Sequence, residues 1–306
     1  MNSIGSLKLD FNSQIEQLNK IQNEKMFEEC IYIGSGDSFV AGLIAEYLTQ
    51  KCKCYSPSDL ANSRLQDDKT YCFISVTGKT KANIEIALRA QKAGLRTAAV
   101  TANEKSKLAQ ICDQVIPLNI TRIKTPTAGF CTFVANVITC LQLSGVDVPS
   151  KFDLWHKNAV EISSKILKSL NLPDHVLYIL GNNLLYPLAL YTSFQMAEFF
   201  GTTAVPHKLE EFCHSPIFGL KKSHSVWILG QNEKICSSRI EELGVRSSYI
   251  ELYNSDMLSQ IFQSIFILQS LMLLLAERYE FTELQYLEKK DILKVSSDLI
   301  YDVDKV

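Results

Sequence analysis

The sequence repeats one order of segments: a short apolar run, a polar turn, and a stretch in which apolar residues recur at helical spacing. The order begins at Cys30–Ile33 and, after a break near residues 144–151, starts again at residues 176–180. Repeats of strand and helix build parallel sheets with helices on their faces. The sequence therefore predicts an α/β fold with two tandem parallel-sheet domains, which span residues 1–147 and 148–306.

The apolar runs and the helical patterns give a first map of the chain. The predicted strands lie at residues 30–33, 71–76, 97–101, 113–118, 176–180, 225–229 and 248–252. The predicted helices lie at residues 38–50, 82–93, 127–143, 152–170, 186–200, 235–243 and 256–278.

Composition excludes several classes of function. The net charge of −2 gives no bulk electrostatic attraction to nucleic acid or to a membrane surface. The nine cysteines are an odd number and stand mostly inside apolar runs, which predicts reduced thiols in a cytoplasmic protein. Cys52 and Cys54 have no second Cys or His pair nearby, so no metal site is predicted. No cofactor is predicted either, and residues 1–10 do not have the pattern of a signal peptide.

The most apolar segment, residues 261–276, raises the question of a membrane span. It is shorter than the ~20 residues that a bilayer requires, and Gln263, Ser264, Gln269 and Ser270 interrupt it. We expect a core helix or a helix at a subunit interface.

Two polar turns follow predicted strands of the first domain. The glycine loop, residues 34–38, contains Gly36 and Ser38 and precedes a helix, where backbone N–H groups favour an anion. It lacks the third glycine of a dinucleotide-binding turn, because Phe39 stands in that place. The alternative is a plain turn in which Asp37 or Ser38 caps the helix.

The hydroxyl loop, residues 75–80, contains Ser75, Thr77, Gly78 and Thr80. It is not a Walker loop, since Phe73 stands where the first glycine is required. Hydroxyls and backbone amides in a tight arc suit the phosphate of a phosphorylated sugar. The alternative is a turn in which Thr80 only caps the next helix. Ligands bind at the carboxyl ends of neighbouring parallel strands. The presence of two such loops therefore favours a ligand-binding site over two plain turns.

Two residues of the second domain are candidates for proton transfer. Glu198 ends an apolar helical pattern, and apolar neighbours would raise the pKa of its carboxylate into the range of a general base. His214 lies in a polar segment that is predicted to be a loop, and histidine moves protons near neutral pH. The alternatives are a solvated carboxylate on a helix exterior and a surface histidine paired with Glu210 or Glu211.

These motifs resemble those of the double sugar-isomerase (SIS) domain family of phosphosugar enzymes. The isomerase half of glutamine–fructose-6-phosphate aminotransferases is the nearest group, and the resemblance covers residues 28–298. The family's phosphate loop, Ser-x-Ser-Gly-x-Thr, matches the four named residues of the hydroxyl loop. Its second-domain pattern matches Leu180, Gly181, Tyr186, Pro187, Ala189 and Leu190 without a gap.

The resemblance implies two tandem flavodoxin-like SIS domains and a role for each candidate. Glu198 would move a proton between C1 and C2 of the open sugar. His214 would assist ring opening from the partner subunit of a homodimer with a shared active site. Lys294, which matches the C-terminal lysine of the family, would close over the sugar and, in aminating relatives, form a Schiff base.

Departures from the family pattern narrow the function. Ala197 replaces the lysine that precedes the family's glutamate, and Ser215 stands where the family has glycine after the histidine. The glutaminase domain of the aminotransferases is not expected. The sequence therefore predicts an aldose–ketose isomerase that acts on a hexose or hexosamine 6-phosphate through a cis-enediol or enediolamine. A deaminase of the glucosamine-6-phosphate type and a non-catalytic sugar-phosphate-binding regulator are the alternatives.

Overall fold

The computed structural model describes residues 1–22, 26–27, 29–66, 68–121, 129–230 and 233–302 of the chain. Its described residues divide into two compact units. The first-sheet unit comprises Glu16–Arg122, Cys131–Ser150 and Lys289–Val306, and the second-sheet unit comprises Met1–Ile15, Ile123–Phe130 and Lys151–Glu288. The C-terminal segment therefore belongs to the first-sheet unit, although the second sheet precedes it in the chain.

Each unit contains one parallel sheet. The strands are β1 (Cys30–Ile33), β2 (Lys53–Tyr55), β3 (Thr70–Ile74), β4 (Arg96–Thr101), β5 (Gln114–Pro117), β6 (Leu177–Gly181), β7 (Ala204–His207), β8 (Ser225–Gly230) and β9 (Arg246–Glu251). The strand orders are β2-β1-β3-β4-β5 and β7-β6-β8-β9, and every pairing is parallel. The predicted α/β fold with helix-flanked parallel sheets is confirmed.

Helices connect the strands. They are α1 (Ser3–Leu18), α2 (Asp37–Thr49), α3 (Pro57–Leu60), α4 (Lys81–Lys92), α5 (Lys107–Ile111), α6 (Phe130–Leu143), α7 (Phe152–Ile166), α8 (Leu185–Phe200), α9 (Leu209–His214), α10 (Lys234–Glu242), α11 (Met257–Arg278), α12 (Gln285–Glu288) and α13 (Lys290–Ile300). Residues 127 and 128, at the predicted start of α6, lie outside the described residues.

Central strands of the first sheet are apolar and buried along their whole length. All residues of β1 and β3 are buried, as expected for parallel strands that are covered on both faces. Tyr71 and Phe73 pack with Ile84 and Ala87 of α4 on one face. On the other face, the Tyr32 hydroxyl donates to the Cys140 carbonyl of α6 at 2.6 Å. These contacts fix the positions of the loops that follow β1 and β3.

Helix α11 has the length and hydropathy of a membrane span, but 83% of its most apolar window is buried inside the protein. Trp155 of α7 stacks on Phe262 with ring centroids 5.1 Å apart. Two of the polar residues that interrupt the apolar run are hydrogen-bonded in this core. Gln269 donates to the Tyr191 hydroxyl at 3.2 Å and accepts from Gln14 at 3.1 Å, and Ser270 Oγ lies 2.7 Å from Ser163 Oγ. Helix α11 is thus a buried core helix of its unit.

Candidate functional site

The strand order of the first sheet creates a crevice between β1 and β3. The chain moves from β1 outward to β2 and then returns to β3 on the other side of β1. Ile33 and Phe73 are register partners near the carboxyl ends of the two strands. The glycine loop and the hydroxyl loop, which follow these strands, therefore lie next to each other at the topological switch point, where open α/β sheets bind ligands.

The hydroxyl loop is a tight turn whose hydroxyl groups form hydrogen bonds within the loop. The Gly78 amide donates to the Ser75 carbonyl at 3.0 Å, and the Lys79 amide donates to Thr77 Oγ1 at 3.3 Å. Ser75 is buried, and its Oγ lies 3.1 Å from Thr80 Oγ1. Thr80 occupies the cap position of α4, but its side chain accepts no capping hydrogen bond. The hydroxyls of Ser75 and Thr80 are thus held next to each other.

Gly78 allows a second helix to approach the loop. Its φ of +65° lies in the left-handed region, and a Cβ at this position would collide with Oγ of Ser106. Ser106 caps α5 by accepting from the Ala109 amide at 3.2 Å, and the Leu108 amide donates to the Gly78 carbonyl at 3.4 Å. The start of α5, with Lys107, is therefore held beside the hydroxyl loop.

The C-terminal strap, defined as Tyr301 and Asp302, also contacts the hydroxyl loop. Tyr301 forms an antiparallel bridge with Thr80, and the Asp302 amide donates to the Lys79 carbonyl at 2.8 Å. The Asp302 carboxylate accepts from Lys107 Nζ at 2.6 Å. Sequence analysis missed both Lys107 and the strap, because contacts between residues so far apart in the chain leave no local pattern.

The glycine loop differs from the expected cap. Gly36, with φ 57° and ψ −133°, occupies the cap position of α2, so neither Asp37 nor Ser38 does. Gly36 is exposed, Ser38 is half-buried, and no atom lies within 4 Å of a Cβ built at Gly36. The backbone of this loop therefore leaves open space at the crevice.

Asp37 is a functional candidate that the sequence analysis treated only as a cap. Its side chain is half-buried in the first turn of α2, and burial raises the pKa of the carboxyl from 3.8 to about 7. The positive end of the helix dipole acts in the opposite direction, so desolvation outweighs it here. A carboxyl that titrates near neutrality at a strand end is typical of a functional site.

Lys294 belongs to α13 in the same unit as the hydroxyl loop, and its side chain is exposed. Helix α13 has no buried residue, and its apolar side chains Ile292, Val295 and Leu299 are 60–72% exposed. The lysine is thus carried by a helix that has little packing of its own.

Glu198 lies two residues before the end of α8 in the second-sheet unit. It is half-buried, and the helix around it is apolar. The neighbouring Phe199 stacks on Phe130 at 5.9 Å between ring centroids, and Phe200 meets the edge of Phe281 at 5.3 Å. The expected apolar surroundings of the glutamate are therefore present along its own helix.

His214 is the last residue of α9, so the prediction that it lies in a loop is wrong. The structure gives a short helix because its first amide, Leu209 N–H, donates to Asn182 Oδ1 at 3.0 Å in the turn after β6. His214 is exposed, and its Nε2 lies 3.8 Å from Glu210 Oε1. The partnership with Glu210 is the arrangement expected of a surface histidine.

Glu198 and His214 lie on two different helices of the second-sheet unit. Helix α8 starts at the carboxyl end of β6 and runs back along it, so Glu198, thirteen residues after Leu185, is about 20 Å from that turn. Helix α9 begins at the same turn, and its Phe212 packs on Tyr178 near the amino end of β6 with ring centroids 5.3 Å apart. His214, two residues further along, is therefore not confined to the turn.

Solved structures of phosphosugar enzymes share this fold. Glucosamine-6-phosphate deaminase from Thermotoga maritima has a TM-score of 0.72 at 18% identity, over 89% of this chain and 92% of that chain. The C-terminal domain of glucosamine-fructose-6-phosphate aminotransferase from Francisella tularensis gives 0.66 at 14% identity, over 88% and 93%. Tagatose-6-phosphate ketose/aldose isomerase from Escherichia coli gives 0.64 at 14% identity, over 91% and 89%.

No protein-family model matches the sequence, and no curated protein matches it. The fold resemblance expected from the sequence motifs is confirmed. At identities below 20%, the similarity establishes the fold alone.

Replacing Gly78 tests the packing of α5 on the hydroxyl loop. Gly94 provides a matched control, since its φ is +71° and no atom lies within 4 Å of a Cβ built there. Gly94→Ala should cost ~1–2 kcal/mol of unfolding free energy from backbone strain alone. Gly78→Ala should cost ~2–5 kcal/mol, because Ser106 must also move. Urea unfolding measures both, and equal losses would contradict the close contact.

Replacing Asp37 tests its raised pKa. Between about pH 4 and 7 the folded state keeps a proton that the unfolded chain releases, so stability falls as pH rises through this range. Asp37→Asn removes the ionisable group and should stabilise the protein by ~1–3 kcal/mol at pH 8 while changing little at pH 4. The exposed Asp298→Asn serves as control in thermal unfolding. If the stability difference between Asp37→Asn and the wild type is the same at pH 4 and pH 8, the raised pKa of Asp37 is refuted.

Proposed function

We propose that this protein isomerises a hexose or hexosamine 6-phosphate between its aldose and ketose forms. The hydroxyl loop at the switch point of the first sheet carries the proposal, because it gathers Ser75, Thr77 and Thr80 in one tight turn. Its position at a strand end suits a phosphate group. The similarity of the fold to phosphosugar enzymes supports the same substrate class.

In the proposed mechanism, the hydroxyl loop binds the phosphate, with Gly36 and Ser38 of the glycine loop beside it. His214 assists opening of the sugar ring. Glu198 then removes the proton from the carbon next to the carbonyl and returns it to the adjacent carbon, so that a cis-enediol or enediolamine forms between the two steps. One carboxylate on one face of the intermediate is sufficient for both transfers.

Amino-sugar-phosphate deamination is the second candidate. It uses the same proton transfer and adds the loss of ammonia, to which a lysine contributes by forming a Schiff base. Two observations favour it: Lys294 lies in the same unit as the hydroxyl loop, and one of the similar structures is a glucosamine-6-phosphate deaminase. Incubation with hexose and hexosamine 6-phosphates, with assays for ketose and for ammonia, separates the two reactions.

The proposal extends to the organisation of the protein. Two tandem flavodoxin-like SIS domains, divided between residues 147 and 148, account for the two parallel sheets. The nine cysteines are free thiols, which agrees with a cytoplasmic location. We further propose a homodimer with a shared active site, in which His214 of each subunit serves the Glu198 of the other. The exposure of His214 at the surface of its own subunit supports this exchange.

The substitution Glu198→Gln tests the proposed base. It preserves the size of the side chain but removes the group that accepts the proton, so turnover should fall ~10²–10⁴-fold with little change in substrate affinity. Solvent deuterium should no longer enter C1 or C2 of the sugar. Glu241→Gln, at an exposed position of α10, is the control. Deuterium exchange at the wild-type rate in Glu198→Gln would show that another residue is the base. If the wild-type protein binds phosphosugar but catalyses no exchange, it is a regulator rather than an isomerase.

Hybrid dimers test the shared site. Glu198→Gln and His214→Ala should each be inactive alone. After the two variants are unfolded and refolded together, hybrid dimers with one intact site should restore about a quarter of wild-type activity if subunits combine at random. Analytical ultracentrifugation checks the oligomeric state. A monomer with full activity would contradict the arrangement.

A further inference from the structure

The C-terminal strap makes direct contacts with the hydroxyl loop and with the start of α5. Its amide and carboxylate reach two different elements of the site: Asp302 N–H donates to the Lys79 carbonyl at 2.8 Å, and the Asp302 carboxylate binds Lys107 Nζ at 2.6 Å. In the preceding helix, the Asp298 carbonyl accepts from Lys81 Nζ at 2.5 Å. The strap and the end of α13 therefore contact the hydroxyl loop and the first residues of α4 and α5.

The charges beside the loop explain why an anion is held there. Lys81 and Lys107 are each the first residue of a helix, where a cation is unfavourable because of the helix dipole. Both lysines act on Asp302 and hold the pKa of its carboxyl below the ordinary value, Lys107 more strongly than Lys81. The carboxylate thus compensates two cations that the helix ends by themselves disfavour.

The helix that leads to the strap is weakly packed. Helix α13 has no buried residue, and its apolar side chains are largely exposed. Segments with few buried contacts open locally at low free-energy cost. The contacts of the strap with Lys79, Thr80 and Lys107 therefore lie at the end of a segment that opens easily.

We propose that the strap is an internal competitor of the substrate's phosphate, with the Asp302 carboxylate occupying Lys107 until a phosphate monoester displaces it. This proposal rests on the proposed phosphate-binding role of the hydroxyl loop. A phosphate dianion carries more charge and more acceptor oxygens than a carboxylate, so it binds the released lysine more strongly. Opening of the strap then both uncovers the loop and supplies a further cation for the phosphate.

Two matched substitutions in the full-length chain test the competition. Asp302→Asn removes the charge that binds Lys107. Asp298→Asn removes an equal charge four residues earlier in the chain and keeps its backbone carbonyl for Lys81. Isothermal titration with inorganic phosphate and with glucose 6-phosphate measures affinity. If the strap is closed in about nine-tenths of free molecules, Asp302→Asn should tighten binding about tenfold and Asp298→Asn should leave it unchanged.

A third variant identifies the cation. Lys107→Ala should weaken phosphate binding, and in that background Asp302→Asn should no longer tighten it. Hydrogen exchange at the backbone amide of residue 302, which donates to the Lys79 carbonyl, should be faster in Asp302→Asn than in the wild type without ligand. This exchange reports on the strap independently of ligand binding.

The outcomes separate the strap from the proposed function. Phosphate binding that Ser75→Ala weakens but Asp302→Asn leaves unchanged, or weakens, overturns the strap and retains the hydroxyl loop. Absence of phosphate binding in every variant, Asp302→Asn included, overturns both the loop and the competition. Tighter binding in Asp302→Asn and in Asp298→Asn alike overturns the specific role of Asp302, since it would reflect only the lost negative charge.

Discussion

The contact between Gly78 and Ser106 controls the arrangement of the polar groups in the first-sheet unit. A residue with a side chain at position 78 would meet Ser106, and the left-handed φ of +65° adds strain for any residue other than glycine. Because Gly78 avoids both, α5 starts directly against the hydroxyl loop. This close approach brings Lys107, Thr80 and the C-terminal strap to one end of the sheet.

Electrostatics at this end of the sheet are balanced between unfavourable and favourable terms. Lys81 and Lys107 lie where helix dipoles disfavour cations, and Asp37 is half-buried with a pKa raised to about 7. Such arrangements reduce stability unless an anion or a proton compensates them. Here Asp302 supplies the anion for the lysines, and a bound proton neutralises Asp37 in mildly acidic solution. The stability of this end of the sheet therefore depends on the ion pair of Asp302 and on the protonation of Asp37.

The second-sheet unit places Glu198 on a well-packed core helix and His214 on its surface. Stacked aromatic rings and the hydrogen bonds of Gln269 fix α7, α8 and α11, so Glu198 has a defined position on a well-packed helix. His214 instead lies exposed at the end of a short helix whose first amide donates to Asn182. This exposure is the reason that the proposed chemistry assigns His214 to the site of the partner subunit.

Local sequence patterns determined the long elements of the fold. Apolar runs and helical spacing predicted β1, β3, β4 and the central part of α8 within a few residues, because fully buried parallel strands and core helices are strongly patterned. The hydroxyl loop was also predicted, since its residue types and its place after β3 suit an anion. Strands β2 and β7 were missed because three or four residues with partly exposed side chains have no pattern apart from the strands they pair with.

Only the tertiary structure decided which polar residues meet. The segment before His214, predicted to be a loop, is a short helix whose first amide, Leu209 N–H, donates to Asn182, 27 positions earlier in the chain. The strap reaches the hydroxyl loop through an ion pair that spans 195 positions, from Lys107 to Asp302. Periodicity describes how a segment presents its own side chains, but it contains no information on which distant segment will lie opposite. The sequence by itself therefore determined the two parallel sheets, whereas the folded chain determined the contacts that Lys107 and the strap make at the hydroxyl loop.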